Sequence, residues 1–318
     1  MACYLVTGGA GFIGSHLVGA LIEHGHAVRV IDDFSSGRRE NIAAWLGSVE
    51  LYEGSICDRD LVQRAMRGAD YCLHHAAIAS VPRSVSDPWQ TNRVNVEGTL
   101  NLFLAARDAG VRRLVVASSS AVYGNAESVP VNESLPIAPL SPYGVSKAAD
   151  ELYAQVFSSL YAMDIVCLRY FNVFGPRQDP TSQYAAVVPI FIARMLAGQR
   201  PPVYGDGLQS RDFCHVDNVV EANLRACEAP RPFAGVYNIA CGQSTTVLEL
   251  VKTLNEILGT DLAPEFQPLR PGDVRHSWAD ISRAQEQFGY EPRINLREGL
   301  GKTVKWFREK DRAASDHP

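Results

Sequence analysis

The sequence of 318 residues lacks the marks of several protein classes. It has no run of about 18 apolar residues, so no transmembrane helix is expected. The N-terminus has neither the basic segment nor the long apolar segment of a signal peptide. The seven cysteines are scattered without a C-x-x-C pair, so neither a zinc site nor a dithiol redox site is expected. The cysteines instead fit small buried side chains in a reducing cytoplasm, which is the predicted location.

An excess of positive charge is also missing. The 30 Lys and Arg residues are outnumbered by 35 Asp and Glu residues, which leaves a formal net charge of -5. An acidic protein is not attracted to nucleic acid or to an anionic membrane, so neither is expected as a partner. No repeat or low-complexity segment is present. The length and the apolar content of 46% favour a globular protein of about two domains.

Short apolar segments alternate with segments of helical periodicity in the first half of the chain. Strands are expected at residues 3–6, 27–31, 49–53, 69–73, 113–117 and 164–169, and helices at 12–23, 59–66, 92–109 and 143–161. Buried strands separated by helices are typical of a parallel sheet covered on both faces. The fold class is therefore α/β, with a Rossmann-type doubly wound sheet spanning residues 1–172.

The second half has a different texture. Residues 175–184 are rich in Pro, Asp, Ser and Gln, which predicts a long loop. Further helices are expected at residues 187–197, 216–228, 247–258 and 296–308, with strands at 202–204 and 236–239. We therefore predict a smaller mixed α/β domain at residues 173–318, which mainly binds the substrate. The chain is free to cross between the two parts more than once.

Three glycines follow the first predicted strand. Gly8, Gly11 and Gly14 have the spacing G-x-x-G-x-x-G and lie inside a complete βαβ unit. Such glycines let the backbone approach a pyrophosphate, which the N-terminus of the next helix attracts. An ordinary tight turn is the alternative. We predict that this turn, together with Phe12 and Ile13, binds a dinucleotide.

Asp32 ends the second predicted strand, 18 residues after Gly14. A carboxylate at this position accepts hydrogen bonds from the ribose hydroxyls and repels a 2′-phosphate, which favours NAD over NADP. Arg38 and Arg39 follow closely and could counter that preference. NAD is the predicted cofactor.

Tyr143 and Lys147 form a Tyr-x-x-x-Lys pair at the start of a predicted helix, where the spacing places both side chains on one face. A nearby ammonium group favours the phenolate, so Tyr143 is a candidate general base. Ser119 and Ser120 lie upstream, at the end of a predicted strand. The carboxyl ends of strands are where α/β sheets bind ligands.

Together these motifs resemble the extended short-chain dehydrogenase/reductase family over nearly the whole chain. The resemblance implies that Ser119, Tyr143 and Lys147 are catalytic. It also implies cofactor contacts by Ser55, Ile56, Ala76, Ala77, Asn95, Tyr143, Lys147, Tyr170 and Phe171. One departure is Ser55, which stands where relatives often have the Asp that contacts adenine.

The residues after Ser119 bear on the reaction. The family's 4,6-dehydratases have Asp-Glu at these positions and its decarboxylases usually have a Glu, whereas this chain has Ser120 and Ala121. The chain therefore resembles the NAD-dependent UDP-hexose 4-epimerases, in which Tyr143 would remove the proton of the C4 hydroxyl. The resemblance assigns UDP-sugar binding mainly to residues 173–318.

The same resemblance implies a set of substrate contacts. They are Ser80, Arg83, Ser119, Ser120, Asn172, Ala186, Val187, Tyr204, Arg211, Arg270, Asp273 and Ser277. Arg211 and Arg270 would grip the diphosphate, because a guanidinium group binds phosphate with two parallel hydrogen bonds. A surface ion pair is the alternative for each arginine. Asp273 would contact the uridine ribose, and Tyr204 would stack near uracil or pack in the core.

Ser277 is small where epimerases restricted to plain UDP-hexoses tend to have Tyr, which leaves room for an N-acetyl group at C2. Residues 79–84, 172–180 and 184–189 also resemble the UDP-N-acetylglucosamine 4-epimerase subgroup. We expect an epimerase for N-acetylated UDP-hexoses that also accepts plain ones. A UDP-glucose/UDP-galactose 4-epimerase and a non-catalytic NAD-binding regulator are the alternatives. Relatives imply a homodimer formed through the helices at 92–109 and 143–161.

Overall fold

The computed structural model describes residues 1–126, 128–180, 186–269 and 274–315. The strands are β1 (Cys3–Thr7), β2 (Ala27–Asp32), β3 (Val49–Glu53), β4 (Tyr71–His74), β5 (Arg113–Ser119), β6 (Ile165–Tyr170), β7 (Val173–Phe174), β8 (Pro202–Tyr204), β9 (Ser210–Arg211), β10 (Cys214–His215), β11 (Gly235–Ile239), β12 (Thr245–Thr246), β13 (Glu265–Gln267) and β14 (His276–Ser277). The helices are α1 (Phe12–Glu23), α2 (Arg59–Met66), α3 (Val81–Ser86), α4 (Pro88–Asn92), α5 (Gly98–Ala109), α6 (Pro142–Tyr161), α7 (Val187–Leu196), α8 (Val216–Glu228), α9 (Val247–Leu258), α10 (Ser282–Phe288) and α11 (Leu296–Ser315).

A seven-stranded parallel sheet forms the larger part, in the order β11-β6-β5-β4-β1-β2-β3. Alternate residues of its strands enter two separate apolar cores. Val6 of β1 packs with Leu17 of α1 and Val219 of α8 on one face, while Leu5 packs with Phe103 of α5 and Phe157 of α6 on the other. The predicted Rossmann-type α/β fold is confirmed.

The smaller part has a core of its own, because α7, α9 and α11 each turn an apolar face inward. Phe191, Leu250 and Phe307 are buried together there. Short strands flank this core: β13 pairs with β8, and β12, β9 and β14 form a three-stranded sheet. Strands of two or three residues carry no clear periodicity, which is why the sequence indicated only the one at 202–204.

The predicted helices at 12–23, 59–66, 216–228 and 247–258 and the predicted strands at 49–53 and 202–204 have the predicted bounds, and the other six predicted strands shift by one or two residues at their ends. The helix predicted at 92–109 is present, but it is not α-helical throughout. A π-helical turn at Arg93–Glu97 separates α4 from α5. The side chain of Asn95 in this turn exchanges hydrogen bonds with the backbone of Ile78, a tertiary contact that helical periodicity cannot indicate.

The domain boundary predicted at residue 172 does not coincide with the limits of the main sheet. Strand β11 lies beyond it yet pairs with β6, and α8 packs on the same sheet. The chain thus crosses between the two parts more than once, and α10 later packs on β11 as well. The loop predicted at 175–184 is described only as far as residue 180. In the described part of the chain, no helix is long and apolar enough to cross a membrane. The cytoplasmic location stays a prediction.

Candidate active site

The glycine turn after β1 has a shape that side chains would block. Gly8 has a φ of +68°, and a Cβ there would lie 2.7 Å from the backbone nitrogen of Ala76. A Cβ on Gly14 would lie 2.0 Å from the Gly8 carbonyl oxygen. Gly11 precedes α1, and none of the described side chains caps this helix N-terminus. The turn therefore fits the pyrophosphate of a dinucleotide, which free N–H groups and the helix dipole favour.

A cavity of about 410 Å³ lies beside this turn, at the carboxyl ends of β1 to β4. The predicted site residues that line it are Gly8, Gly11, Asp32, Ser55, Ile56, Ala76, Ala77, Ser80 and Arg83. Lining residues that the sequence analysis missed are Asp33, Ser35, Ser36, Gly37, His75, Ile78, Gln90 and Val94. The polar segment directly after Asp32 could have indicated these lining residues, because it follows the carboxyl end of β2, at the sheet edge where the glycine turn lies.

Asp32 holds the glycine turn as well as lining the cavity. Its carboxylate accepts hydrogen bonds from the backbone N–H groups of Ala10 and Phe34, at 2.8 and 2.9 Å. Burial raises the pKa of this carboxyl group, and the two N–H groups oppose the change. The contact with a ribose stays a prediction.

The two arginines that could favour NADP are already paired with acids. Arg38 contacts Asp179 at 2.6 Å, and Arg39 contacts Glu53. Their charges are therefore compensated within the chain, which weakens any attraction for a 2′-phosphate.

Three predicted cofactor contacts lie behind the cavity wall. Asn95 is fully buried and its amide bonds Ile78 and Ser146, so it supports the wall. The Tyr170 hydroxyl lies 2.9 Å from His75 Nε2. Because His75 lines the cavity, its imidazole ring lies between Tyr170 and the cavity. Direct contacts of Asn95 and Tyr170 with the cofactor stay predictions. The side chain of Phe171 is fully buried in the apolar core, and its position near nicotinamide also stays a prediction.

Ser119 is the last residue of β5, and its neighbour Ser118 points elsewhere. Ser118 donates a hydrogen bond to the buried carboxylate of Glu151, which also pairs with Arg169. Ser119 is half-buried, and its Oγ accepts a hydrogen bond from the N–H of Ala121 at 3.2 Å. Because successive residues of a strand face opposite ways, only Ser119 is left free of the Glu151 network.

The start of α6 packs closely against the segment that follows Ser119. A Cβ on Gly144 would lie 2.7 Å from the carbonyl oxygen of Ala121. The backbone N–H of Tyr143 donates to Ser84 Oγ at 3.0 Å. These contacts bring the first turn of α6 to the end of β5, and they place the half-buried Tyr143 beside α3, which borders the cavity.

Lys147 lies one turn further along α6 and is buried. Its Nζ donates to Asp150 Oδ2 at 3.2 Å. Burial alone would lower the pKa of Lys147, but the Asp150 carboxylate and the negative charge of an ionised Tyr143 more than offset this, and the net change is upward. The ammonium group is thus held in its charged form near Tyr143.

The predicted substrate residues fall into two groups. Ser80 caps α3 and lies with Arg83 on the cavity wall, and the half-buried Ser120 follows Ser119. Asn172 is exposed at the end of the main sheet with a φ of +32°. At the start of α7, Ala186 is exposed and Val187 is half-buried.

The second group lies in the smaller part. Arg211 of β9 and Ser277 of β14 are direct partners in the register of the small sheet. Arg211 Nη1 donates to the carbonyl oxygen of Ser210 at 2.8 Å. Tyr204 is half-buried at the end of β8. The predicted contacts Arg270 and Asp273 lie outside the described residues.

Asp212 organises this region, although its role was not predicted from the sequence. The side chain is fully buried and accepts hydrogen bonds from the backbone N–H groups of Cys241, Gln243 and Ala279. The Asp212 N–H donates to the Ser277 carbonyl oxygen at 2.9 Å. No sequence signal indicates this role, because its partners are backbone groups 29 to 67 residues away.

A glycine cradle on a doubly wound sheet, with a Tyr-x-x-x-Lys helix next to a strand-end serine, defines an NAD-dependent enzyme of the short-chain dehydrogenase/reductase type. Residues 4–240 match the NAD dependent epimerase/dehydratase family, and the chain belongs to this family. NAD is its cofactor, as predicted.

Relatives match almost the full length of the chain. A UDP-glucose 4-epimerase from Mycolicibacterium smegmatis is 43% identical over 310 residues, which cover 96% of this chain and 98% of the relative. The structure of UDP-N-acetylglucosamine 4-epimerase from Methanobrevibacter ruminantium M1, in complex with UDP-N-acetylmuramic acid, has a TM-score of 0.93 at 41% identity and covers 97% of this chain and 99% of that one. UDP-glucose 4-epimerase from Thermotoga maritima, solved with UDP-glucose, has a TM-score of 0.92 at 43% identity and covers 97% and 99%. The predicted enzyme class, an isomerase, is confirmed.

Proposed function

We propose that this protein epimerises UDP-hexoses at C4 and that it accepts N-acetylated sugars. The observation that carries the epimerase assignment is the composition of the site around Ser119. The first turn of α6, which contains Tyr143, packs against the segment that follows Ser119, and the charged Lys147 lies one turn further along, while Ser120 and Ala121 supply no carboxylic acid. Elimination of water needs an acid at this position, whereas epimerisation does not.

The residues of this chain have distinct roles in the proposed reaction. Bound NAD supplies reversible hydride exchange with C4 of the sugar. Tyr143 takes the proton of the C4 hydroxyl group and returns it when the opposite configuration forms. The Lys147 ammonium stabilises the phenolate of Tyr143, and Ser119 donates a hydrogen bond to the C4 oxygen.

The substrate is anchored, in this proposal, by the smaller part of the molecule. Arg211 and Arg270 bind the diphosphate, Asp273 binds the uridine ribose and Tyr204 packs against uracil. The pairing of Arg211 with Ser277 supports a sugar pocket at this point, because a residue that binds the diphosphate and one that limits the sugar should be close. The small side chain of Ser277 leaves space for an N-acetyl group at C2.

A 4-epimerase for UDP-glucose and UDP-galactose without N-acetyl preference is the second candidate. It is favoured by the relatives from Mycolicibacterium smegmatis and Thermotoga maritima, which are both described as UDP-glucose 4-epimerases. The two candidates differ only in the space around C2 of the sugar.

The deciding experiment incubates the purified protein separately with UDP-GlcNAc, UDP-GalNAc, UDP-glucose and UDP-galactose and follows the C4 configuration by NMR. We expect turnover of all four, with kcat/KM at least as high for the N-acetylated pair. Turnover of the plain pair alone would select the second candidate. No turnover of any of the four, in protein that retains NAD, would point to a non-catalytic regulator.

We further propose a homodimer. Val145, Leu152, Val156 and Leu160 follow one another along one face of α6 and are each about half or more exposed. Trp89, at 80% exposure, lies on the neighbouring α4. An exposed apolar stripe of this kind is typical of an interface between subunits. Leu160→Glu should produce monomers in sedimentation velocity, whereas the exposed control Asp60→Asn should not. A dimer that survives Leu160→Glu unchanged would place the interface elsewhere.

A further inference from the structure

A buried ion pair lies directly behind the proposed catalytic tyrosine. Lys147 is 2% exposed and Asp150 is fully buried, with 3.2 Å between Lys147 Nζ and Asp150 Oδ2. The other carboxylate oxygen, Oδ1, is also buried, and a hydrogen bond with the Thr99 side chain helps to lower the pKa of this carboxyl group. A buried carboxylate costs several kcal/mol unless it is paired, so this pair depends on both members.

The other titratable groups around the pair do not replace Asp150. They are Tyr143 and Glu151 on α6, His74 and His75 at the end of β4, and Cys167 and Arg169 on β6. Burial lowers the pKa of both histidines and raises the pKa of the Cys167 thiol, so all three are neutral near pH 7. Glu151 is occupied by Arg169. Among the described groups, Asp150 is therefore the carboxylate that balances Lys147.

We propose that Asp150 is a positioning residue of the active site: its carboxylate holds Lys147 Nζ in place and sets how strongly the ammonium charge acts on Tyr143. This inference rests on the proposed function, because it assumes that Tyr143 is the base. Asp150 itself touches neither substrate nor cofactor in this scheme and acts through Lys147.

The sign of the effect follows from electrostatics. The Asp150 carboxylate raises the pKa of Lys147, so its removal lets Lys147 lose its proton at lower pH. While Lys147 keeps its proton, an unbalanced ammonium stabilises the Tyr143 phenolate more strongly, so Tyr143 also ionises at lower pH. Both limbs of a bell-shaped pH–rate profile should then move downward together, by about one pH unit for a charge several ångströms away.

The difference between the pH–rate profiles of the native enzyme and a neutral variant is expected only over part of the pH range. Burial raises the pKa of Asp150 to about 6, although Lys147 opposes the change. Asp150 is thus ionised above about pH 6 in the native protein and becomes neutral below it. The native enzyme and a variant with a neutral residue at 150 should differ above about pH 6 and converge below it.

The test compares kcat/KM across pH 5 to 10 for the native enzyme and for Asp150→Asn, Asp150→Ser and Asp150→Glu. Asp150→Ser is included because it removes the charge without placing the N–H groups of an amide against the Lys147 ammonium. Asp150→Glu keeps the carboxylate and should restore the native profile, which a purely steric role would not predict. Ser158→Ala is the matched control: it changes a polar side chain further along α6 and should leave the profile in place.

A second readout does not depend on turnover. The absorbance of tyrosinate is titrated for each protein with and without Tyr143→Phe, and the difference isolates Tyr143. We expect the midpoint to move down by about one pH unit in the neutral variants, the same shift as in the rate profile.

The outcomes separate two failures. If the native enzyme epimerises and Tyr143→Phe abolishes this, but the neutral variants keep the native limbs and midpoint, the inference about Asp150 is wrong and the proposed function stands. If Tyr143→Phe leaves epimerisation unchanged, the proposed function fails first. A shift in Asp150→Glu as large as that in Asp150→Asn would also overturn the role of the charge.

Discussion

The cofactor half and the proposed substrate half of the candidate active site are built in different ways. The cofactor half joins consecutive strand ends of one parallel sheet, so Gly8, Asp32 and Ser55 meet because their strands are neighbours. The substrate half joins β9, β12 and β14, whose strands are two residues long and come from distant parts of the chain. Asp212 ties these segments together through backbone groups.

This difference predicts separable effects. A sheet with seven paired strands and two apolar cores holds the cofactor half in place. The substrate half depends on a few polar contacts around one buried carboxylate. Changes in the first half should therefore cost NAD and stability, whereas changes in the second should alter substrate affinity and selectivity while NAD is retained.

Gly14→Ala should have the largest effect, because the new Cβ would lie 2.0 Å from the Gly8 carbonyl oxygen. Backbone cannot yield as a flexible side chain does, so we expect loss of bound NAD, loss of turnover and a drop of about 3 kcal/mol in the free energy of unfolding. NAD content after purification and urea unfolding measure this. Gly301→Ala is the control, since nothing lies within 4 Å of its Cβ. A Gly14→Ala protein that keeps its NAD would show that the glycine turn does not hold the cofactor as described.

Tyr143→Phe tests the junction of the two halves. Removing a general base reduces the rate by about 10² to 10⁴, so kcat should fall within that range. NAD content and the free energy of unfolding should stay near their native values, because the structure gives Tyr143 a backbone hydrogen bond to Ser84 that the substitution preserves. Epimerisation at the native rate would exclude the mechanism.

Asp212→Asn tests the substrate half. An amide cannot accept hydrogen bonds from backbone N–H groups at both of its side-chain heavy atoms, so the segments near Ser277 should loosen. We expect KM for the UDP-sugar to rise about tenfold, the equivalent of one charge-assisted hydrogen bond, with NAD content unchanged. Steady-state kinetics measure this, and the exposed Asp261→Asn is the control. A loss of NAD instead would show that the halves are not separable.

A pH series sharpens the same comparison. Burial raises the pKa of Asp212 to about 6, and its backbone donors oppose the change. The native carboxylate is therefore ionised above about pH 6 and protonated below it, so native KM should rise towards the variant's value as the pH falls through 6. The Asp212→Asn enzyme should lack this rise.

The same contrast explains which features of the fold and the site could be predicted from the sequence. The glycine turn, Asp32 and the bounds of α1 could be predicted because one βαβ unit contains all of them within about 30 residues. The Tyr-x-x-x-Lys spacing likewise lies within a single helix. The role of Asp212, the π-helical turn around Asn95 and the pairing of Arg211 with Ser277 depend on contacts between distant segments, which no local pattern encodes.

Ser277→Tyr should have the smallest effect, and it tests the proposed preference for an N-acetyl group at C2 of the sugar. Ser277 is half-buried and paired with Arg211, so a larger side chain there would fill space next to the diphosphate anchor, on the side where C2 of the sugar is proposed to lie. A steric conflict of about 1–2 kcal/mol corresponds to a fall of roughly 5- to 30-fold in kcat/KM for UDP-GlcNAc. UDP-glucose has only a hydroxyl group at C2 and should be affected less. Ser277→Ala, which adds no bulk, should leave the ratio of the two substrates unchanged. Equal losses on both substrates in Ser277→Tyr would mean that residue 277 limits the pocket as a whole, and the proposed preference would then need another source.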